Sequence, residues 1–158
     1  MRLTELFAAP DLVVDFAPAD KWEAIRILVE HLVQRGTIAA DQAETVLEAI
    51  QSRERSMSTG MEEGIAIPHA AVDEIDTVAA AMGIVGPQEG LAFESIDGRP
   101  ARLVVLLAIP RRQKLLHIRT LADVARLLGR ESVRTALTAA ATSEEAWRAL
   151  AAGEAATA

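Results

Sequence analysis

The 158 residues are half apolar and enough for one sizeable core, and 23 acidic against 16 basic side chains leave a net charge of −7. That balance argues against a nucleic-acid partner, because phosphate binding asks for a basic face. The absence of cysteine removes disulfides, thiolate catalysis and cysteine-based zinc sites.

The longest apolar run near the middle, residues 103–109, is strand length and far too short to cross a bilayer. The N-terminus lacks the basic-then-apolar pattern of a signal peptide. A cytoplasmic protein without membrane insertion is expected.

Residues 2–9 read as a short helical segment, with Leu3, Leu6 and Phe7 on one face and Pro10 ending it. Residues 11–16 are short and rich in valine, which predicts a strand. Asp20 stands where an N-cap belongs. Behind it residues 21–35 form an amphipathic helix, with Trp22, Ile25, Leu28, Val29, Leu32 and Val33 at helical spacing and Gly36 as the stop. His31 has no polar partner motif beside it, so a packing or surface role is expected. Residues 40–54 predict a second helix, capped by Asp41 and ending in the charged run Arg53-Glu54-Arg55. Such a run normally marks a solvated helix terminus; the functional alternative is an arginine turned inward to hold an anion.

The stretch 53–70 follows, R-E-R-S-M-S-T-G-M-E-E-G-I-A-I-P-H-A. Pro68 lacks a backbone donor and pushes Ile67 toward an extended conformation. Residues 65–67 are therefore expected as a strand delivering His69 at its end, where the imidazole is a candidate nucleophile or proton carrier. A polar connection is expected over residues 70–76, and a second apolar run over residues 77–85. Asp97-Gly98-Arg99-Pro100 is a turn between strands. The continuously apolar residues 103–109 fit a central strand covered on both faces.

A basic loop, Arg111-Arg112-Gln113-Lys114, leads into a helix over residues 116–128. His117 opens its buried line with Leu121, Val124 and Leu128. A capping or core histidine is the plainer reading, although a helix N-terminus also favours an anion. Two further helices are expected at residues 131–139 and 143–151, the second starting at Ser143-Glu144-Glu145. The whole reads as an α/β layered domain with a mixed sheet, made partly antiparallel by the Asp97-Gly98 turn. One domain is expected over residues 1–152, with 153–158 as a flexible tail.

Arg53-Glu54, Ser58-Thr59-Gly60, Gly64-Ile65-Ala66-Ile67-Pro68-His69, Asp97-Gly98-Arg99-Pro100 and His117-Ile118-Arg119-Thr120-Leu121-Ala122 together resemble the fructose/mannitol-type IIA component of the bacterial sugar phosphotransferase system. The nitrogen-regulatory IIA proteins belong to the same family. The resemblance implies a mixed β-sheet flanked by helices on both faces. It implies that His69 takes a phosphoryl group from the phosphocarrier HPr on Nε2 and passes it to a IIB component. It further implies that His117 is the second active-site histidine, that Arg53 steadies the phosphoryl group, and that Ser58, Thr59 and Gly60 line the site. No metal and no cofactor is implied. Many relatives carry a glycine-rich loop where this chain has Gly60-Met61-Glu62-Glu63-Gly64, so two carboxylates stand near the nucleophile. Met57 likewise replaces a small residue. The chain shows no IIB or IIC segment, so separate partners are expected.

Two other functions compete. In one, the phosphorylation state of His69 controls binding to a regulatory target protein and no sugar is handed on. In the other, His69 and His117 join Glu62 or Glu63 in a metal site, for which no close histidine pair or zinc-hydrolase motif speaks.

Overall fold

The computed structural model describes residues 2–156. The helices are α1 (Leu3–Leu6), α2 (Lys21–Gln34), α3 (Ala43–Ser56), α4 (Lys114–Leu128), α5 (Glu131–Ala139) and α6 (Ser143–Ala155). The strands are β1 (Leu12–Phe16), β2 (Ile65–Ala66), β3 (His69–Val72), β4 (Ala79–Val85) and β5 (Leu103–Pro110). None of these helices is long and apolar enough to cross a membrane.

β5 is the axis of the sheet. It pairs antiparallel with β4 on one side, and β4 pairs parallel with β1. On its other side both β2 and β3 run parallel to it. Every residue of β4 and β5 is buried, as two covered faces require. Alternation along β5 divides the core. Val104, Leu106 and Ala108 pack with the apolar stripes of α2 and α3, whereas Leu103, Val105, Leu107 and Ile109 pack with α1, α4, α5 and α6. The result is the expected mixed sheet with helices on both faces.

Local signals act much as anticipated. Asp20 Oδ1 accepts a hydrogen bond from the Glu23 N–H at 2.8 Å and caps α2. Gly36, at φ +78°, lies just past the end of that helix. Asp41 does not cap α3; it lies in a separate 3-10 turn, Ala40–Gln42, and the α3 N-terminus carries no side-chain cap. At α6 the cap is Thr142, which accepts from the Glu145 N–H at 3.1 Å. Ser143 instead donates to the Leu12 carbonyl at 2.6 Å and ties α6 to β1.

Two further expectations are corrected. Residues 70–72, expected in a polar connection, continue the sheet as β3, because Ala70 and Val72 are buried on the α3 side. Residues 153–155, expected in the tail, complete α6. Gly153 is buried where a Cβ would come 2.8 Å from Val133 Cγ2, and the Glu154 carboxylate accepts from the N–H groups of Leu3 and Thr4 at the start of α1. Residues 157–158 of the expected tail lie outside the described residues.

Leu106→Ala removes a fully buried side chain from the α2/α3 face of β5. It should cost about 2–5 kcal/mol of unfolding free energy, read by urea denaturation. A near-neutral result would mean that this face is not closely packed.

Candidate functional site

Pro68 interrupts the edge of the sheet without shifting it. Ile65 pairs with Leu103 and His69 with Leu107, both 38 residues apart, so β2 and β3 are collinear pieces of one strand. His69 therefore opens the second piece rather than closing the first. Across the break, the Ile67 N–H turns away from β5 and donates to the Thr59 carbonyl at 3.1 Å, while Pro68 O accepts from Leu107 N–H at 3.0 Å. Alternation through Ile65 and Ile67 sends His69 to the α4 side of the sheet.

The His69 ring is half-buried, and its Nδ1 lies 2.7 Å from the Ile67 carbonyl oxygen. A carbonyl can only accept, so Nδ1 carries the hydrogen and Nε2 keeps its lone pair. Burial pulls the imidazole pKa below 6.5, and Arg53 and His117 push in the same direction. The hydrogen bond to Ile67 and the charge of Glu54 oppose them without reversing the direction. The ring is thus neutral near pH 7, with a lone pair on Nε2 that could act as a nucleophile.

His117 meets it edge to face, with ring centroids 5.5 Å apart and planes at 87°. The His117 N–H is bonded to Gln113 O at 3.1 Å, so His117 contributes its imidazole to the site and not a free backbone donor. Arg53, in the last turn of α3, reaches round the sheet edge, and its Nη1 donates to the Met57 carbonyl at 2.8 Å. Two open clefts meet at this point. One, of about 530 Å³, is lined by Arg53, Ser58, Thr59, Gly60 and His69 with apolar neighbours. The other, of about 480 Å³, is lined by Arg53, His69, His117, Arg111, Ser52 and Ser56 among others. All six residues singled out in the sequence therefore converge.

The loop 58–60 is held from below. Glu54 is 2% exposed, and its carboxylate accepts from the Thr59 N–H at 3.0 Å and from the Thr59 hydroxyl at 2.5 Å. The Thr59 hydroxyl is thereby committed inward and not to the cleft. Gly60 bonds its N–H to Ser58 Oγ at 3.3 Å and packs so tightly that a Cβ would lie 2.4 Å from Glu94 O. Sequence reasoning missed the burial of Glu54, reading it within a solvated charged terminus; its place inside the Arg-Glu pair was the available signal. Arg111, Ser52 and Ser56 were also missed, and nothing in their local pattern marks them.

Glu62 and Glu63 stand away from the nucleophile. Glu63 pairs with Arg99 at 2.9 Å and with Arg134 at 3.6 Å. Its N–H, with that of Arg99, binds the Asp97 carboxylate and holds that group below the usual carboxylate range. Both glutamates line an adjoining cleft of about 290 Å³, which shares Met61, Ile67, Ile96 and Ala125 with the His69 cleft but is not lined by His69 or His117. Among the described residues no three His, Asp or Glu side chains are grouped to hold a metal ion.

A family model described as "Phosphoenolpyruvate-dependent sugar phosphotransferase system, EIIA 2" matches residues 6–153. The chain belongs to this family. Among relatives of this EIIA chain, the fructose-specific EIIABC component of Bacillus subtilis (strain 168) is 35% identical over 137 residues, 87% of this chain and 21% of that protein. The nitrogen regulatory protein of Escherichia coli (strain K12) is 38% identical over 105 residues, 66% of this chain and 64% of that protein. The chain thus spans about a fifth of the first and just under two thirds of the second. In a complex of enzyme IIA mannitol with phosphorylated enzyme IIB from Escherichia coli, a matching chain has a TM-score of 0.76 and 26% identity, covering 92% of this chain and 97% of that one.

Titrating the His69 ring by NMR should give a midpoint below 6.5, with the hydrogen of the neutral form on Nδ1. As pH falls, protonation then begins only in mildly acid solution. A midpoint at or above the ordinary histidine value would mean that burial does not dominate the environment of this ring.

Proposed function

We propose that this EIIA chain is a phosphohistidine carrier in the cytoplasm, taking a phosphoryl group from an HPr-like protein on His69 and handing it to a IIB component. The observation that carries this reading is the 2.7 Å bond from Nδ1 to the Ile67 carbonyl, which leaves the Nε2 lone pair free beside Arg53 and His117. In the transfer, that lone pair attacks phosphorus and the P–N bond of the donor phosphohistidine breaks. The donor ring, already carrying a proton on its other nitrogen, leaves as neutral imidazole with the bonding electrons. The new phosphoimidazolium keeps its Nδ1 hydrogen, whose bond to Ile67 strengthens as the ring gains positive charge. One P–N bond replaces another and no proton has to move.

Catalysis of such a step is mainly positioning and charge stabilisation. Arg53 supplies planar, charged donors suited to the equatorial oxygens. It must release the Met57 carbonyl, or bind with its remaining N–H groups, to do so. His117, set edge-on to the nucleophile, is the second ring against which the phosphoryl group is held.

A protein partner fits the surroundings. The exposed large apolar side chains among the described residues are Met57, Met61, Ile96, Leu115 and Ile118. The first three line the cleft at His69, and the last two stand on α4 beside His117. Apolar surface collected around one reactive group marks a docking face.

The likeness to nitrogen regulatory proteins favours a second reading, in which phosphorylated and free His69 differ in affinity for a target protein. Transfer onward to a IIB component separates the two.

Incubating the purified chain with Enzyme I, HPr and phosphoenolpyruvate should add one phosphoryl group by intact mass under alkaline conditions, and His69→Ala should take none. Continued labelling of that folded variant would remove His69 from the mechanism. Arg53→Ala should slow acceptance on the order of a hundredfold in a rapid-quench assay; an unchanged rate would reduce Arg53 to a helix terminus. His117→Ala should retain acceptance but impair transfer to IIB, and wild-type behaviour in both half-reactions would break the paired-histidine arrangement.

A further inference from the structure

A line of hydrogen bonds runs beneath the cleft from the first residue of α2 to the nucleophile. Lys21 Nζ lies 3.2 Å from Glu54 Oε2, with side chains 13% and 0% exposed. The Glu54 carboxylate binds the N–H and hydroxyl of Thr59. The Thr59 carbonyl accepts from the Ile67 N–H, and the Ile67 carbonyl accepts from His69 Nδ1. Each link fixes the next, so the orientation of the imidazole depends on where Glu54 is held.

Lys21 holds more than Glu54. Its ammonium lies 5.1 Å from the Trp22 ring centroid and 5.8 Å from that of Phe93, and 3.7 Å from Glu94 Oε1. It thereby joins the start of α2, the end of α3 and segment 93–96, of which Glu94, Ser95 and Ile96 line the cleft with His69. A buried ion pair is a poor way to gain stability alone, since apolar side chains of the same volume often serve as well or better. Its value here is directional. Glu54 presents oxygen acceptors to both donors of Thr59, and Lys21 cancels a negative charge that would otherwise lie uncompensated under an incoming phosphoryl group.

We infer that Lys21 and Glu54 are positioning residues for phosphoryl acceptance at His69, acting through Thr59 and the Ile67 carbonyl; the inference rests on the phosphocarrier reading above. The brace sets the Nδ1–H tautomer before any donor arrives and keeps loop 58–60 in register with residues 65–67, which it meets through the Gly60–Ala66 bridge. Neither side chain touches the reacting atoms.

The test uses the full chain and phosphoramidate, a small phosphoryl donor that needs no docking protein. Intact mass in alkaline buffer follows phosphorylation, and ¹⁵N NMR reads the His69 tautomer. Glu54→Gln and Lys21→Met should each lower the maximal rate about ten- to a hundredfold, with half-saturating phosphoramidate changed less than about twofold. Both should raise the share of the Nε2–H tautomer. Lys21→Arg keeps the ion pair and should recover most of the rate. Lys21→Met strands a buried carboxylate and is the variant at risk of unfolding; Glu54→Gln keeps an oxygen for the Thr59 N–H without a charge, and so carries the test. A folded Glu54→Gln protein with wild-type maximal rate and tautomer overturns the inference. A wild-type chain that accepts nothing from phosphoramidate or from HPr overturns the phosphocarrier reading instead, and the tautomer shares of the variants still decide for or against the brace.

Discussion

A carbonyl oxygen can accept a hydrogen bond but never donate one, and at Ile67 this asymmetry governs the site. It selects the histidine tautomer, leaves the Nε2 lone pair unspent and, in the proposed phosphocarrier, would give the positive charge of a phosphorylated ring a partner. The carbonyl is free to do so because Ile67 faces the open edge of the sheet, whereas Gly64 and Pro68 turn their carbonyls to β5. The adjacent N–H of Ile67 then serves the Thr59 loop. Pro68 keeps its own carbonyl on Leu107 and, lacking an N–H, offers β5 no donor.

The chain combines a rigid interior with an adhesive rim. β4 and β5 are closed on both faces, and the ion pair beneath the loop is shielded by aromatic rings. Around the nucleophile, in contrast, Met57, Ile96, Leu115 and Ile118 are each more than half exposed. Met57, unbranched and flexible, can adapt to differing partner shapes, which would suit the proposed exchange with a phosphoryl donor and a phosphoryl acceptor in turn. The carboxylate of Glu63, at the glycine-rich position of many relatives, is drawn off by Arg99 and Arg134, so it reshapes the margin and not the reaction centre.

Periodicity and punctuation carried most of the architecture in the sequence. The alternating and continuous apolar runs, Asp20 and Gly36 predicted elements that the structure contains, and the Arg-Glu, Ser-Thr-Gly and Pro-His strings marked residues that converge on one cleft. What stayed hidden depends on contacts distant in sequence. Glu54 reads as solvated until Lys21, 33 residues away, and Thr59 enclose it. Gly153 and Glu154 read as tail until Val133 and the start of α1 are set against them. Strand β3 is only four residues, half of them alanine, and too short for its local β-propensity to stand out; pairing with β5 makes it a strand.

The unchanged pairing offset on either side of Ile67 and Pro68 also limits what lengths of chain the site tolerates. With a two-residue gap, Ile65 and His69 project from the same face of the sheet. One residue inserted or deleted there would keep both flanking segments capable of pairing, yet rotate the imidazole toward the α2/α3 core and away from His117. Substitutions along the rim would change only its surface chemistry, whereas a single-codon insertion at the break would bury His69 while leaving composition and net charge almost untouched.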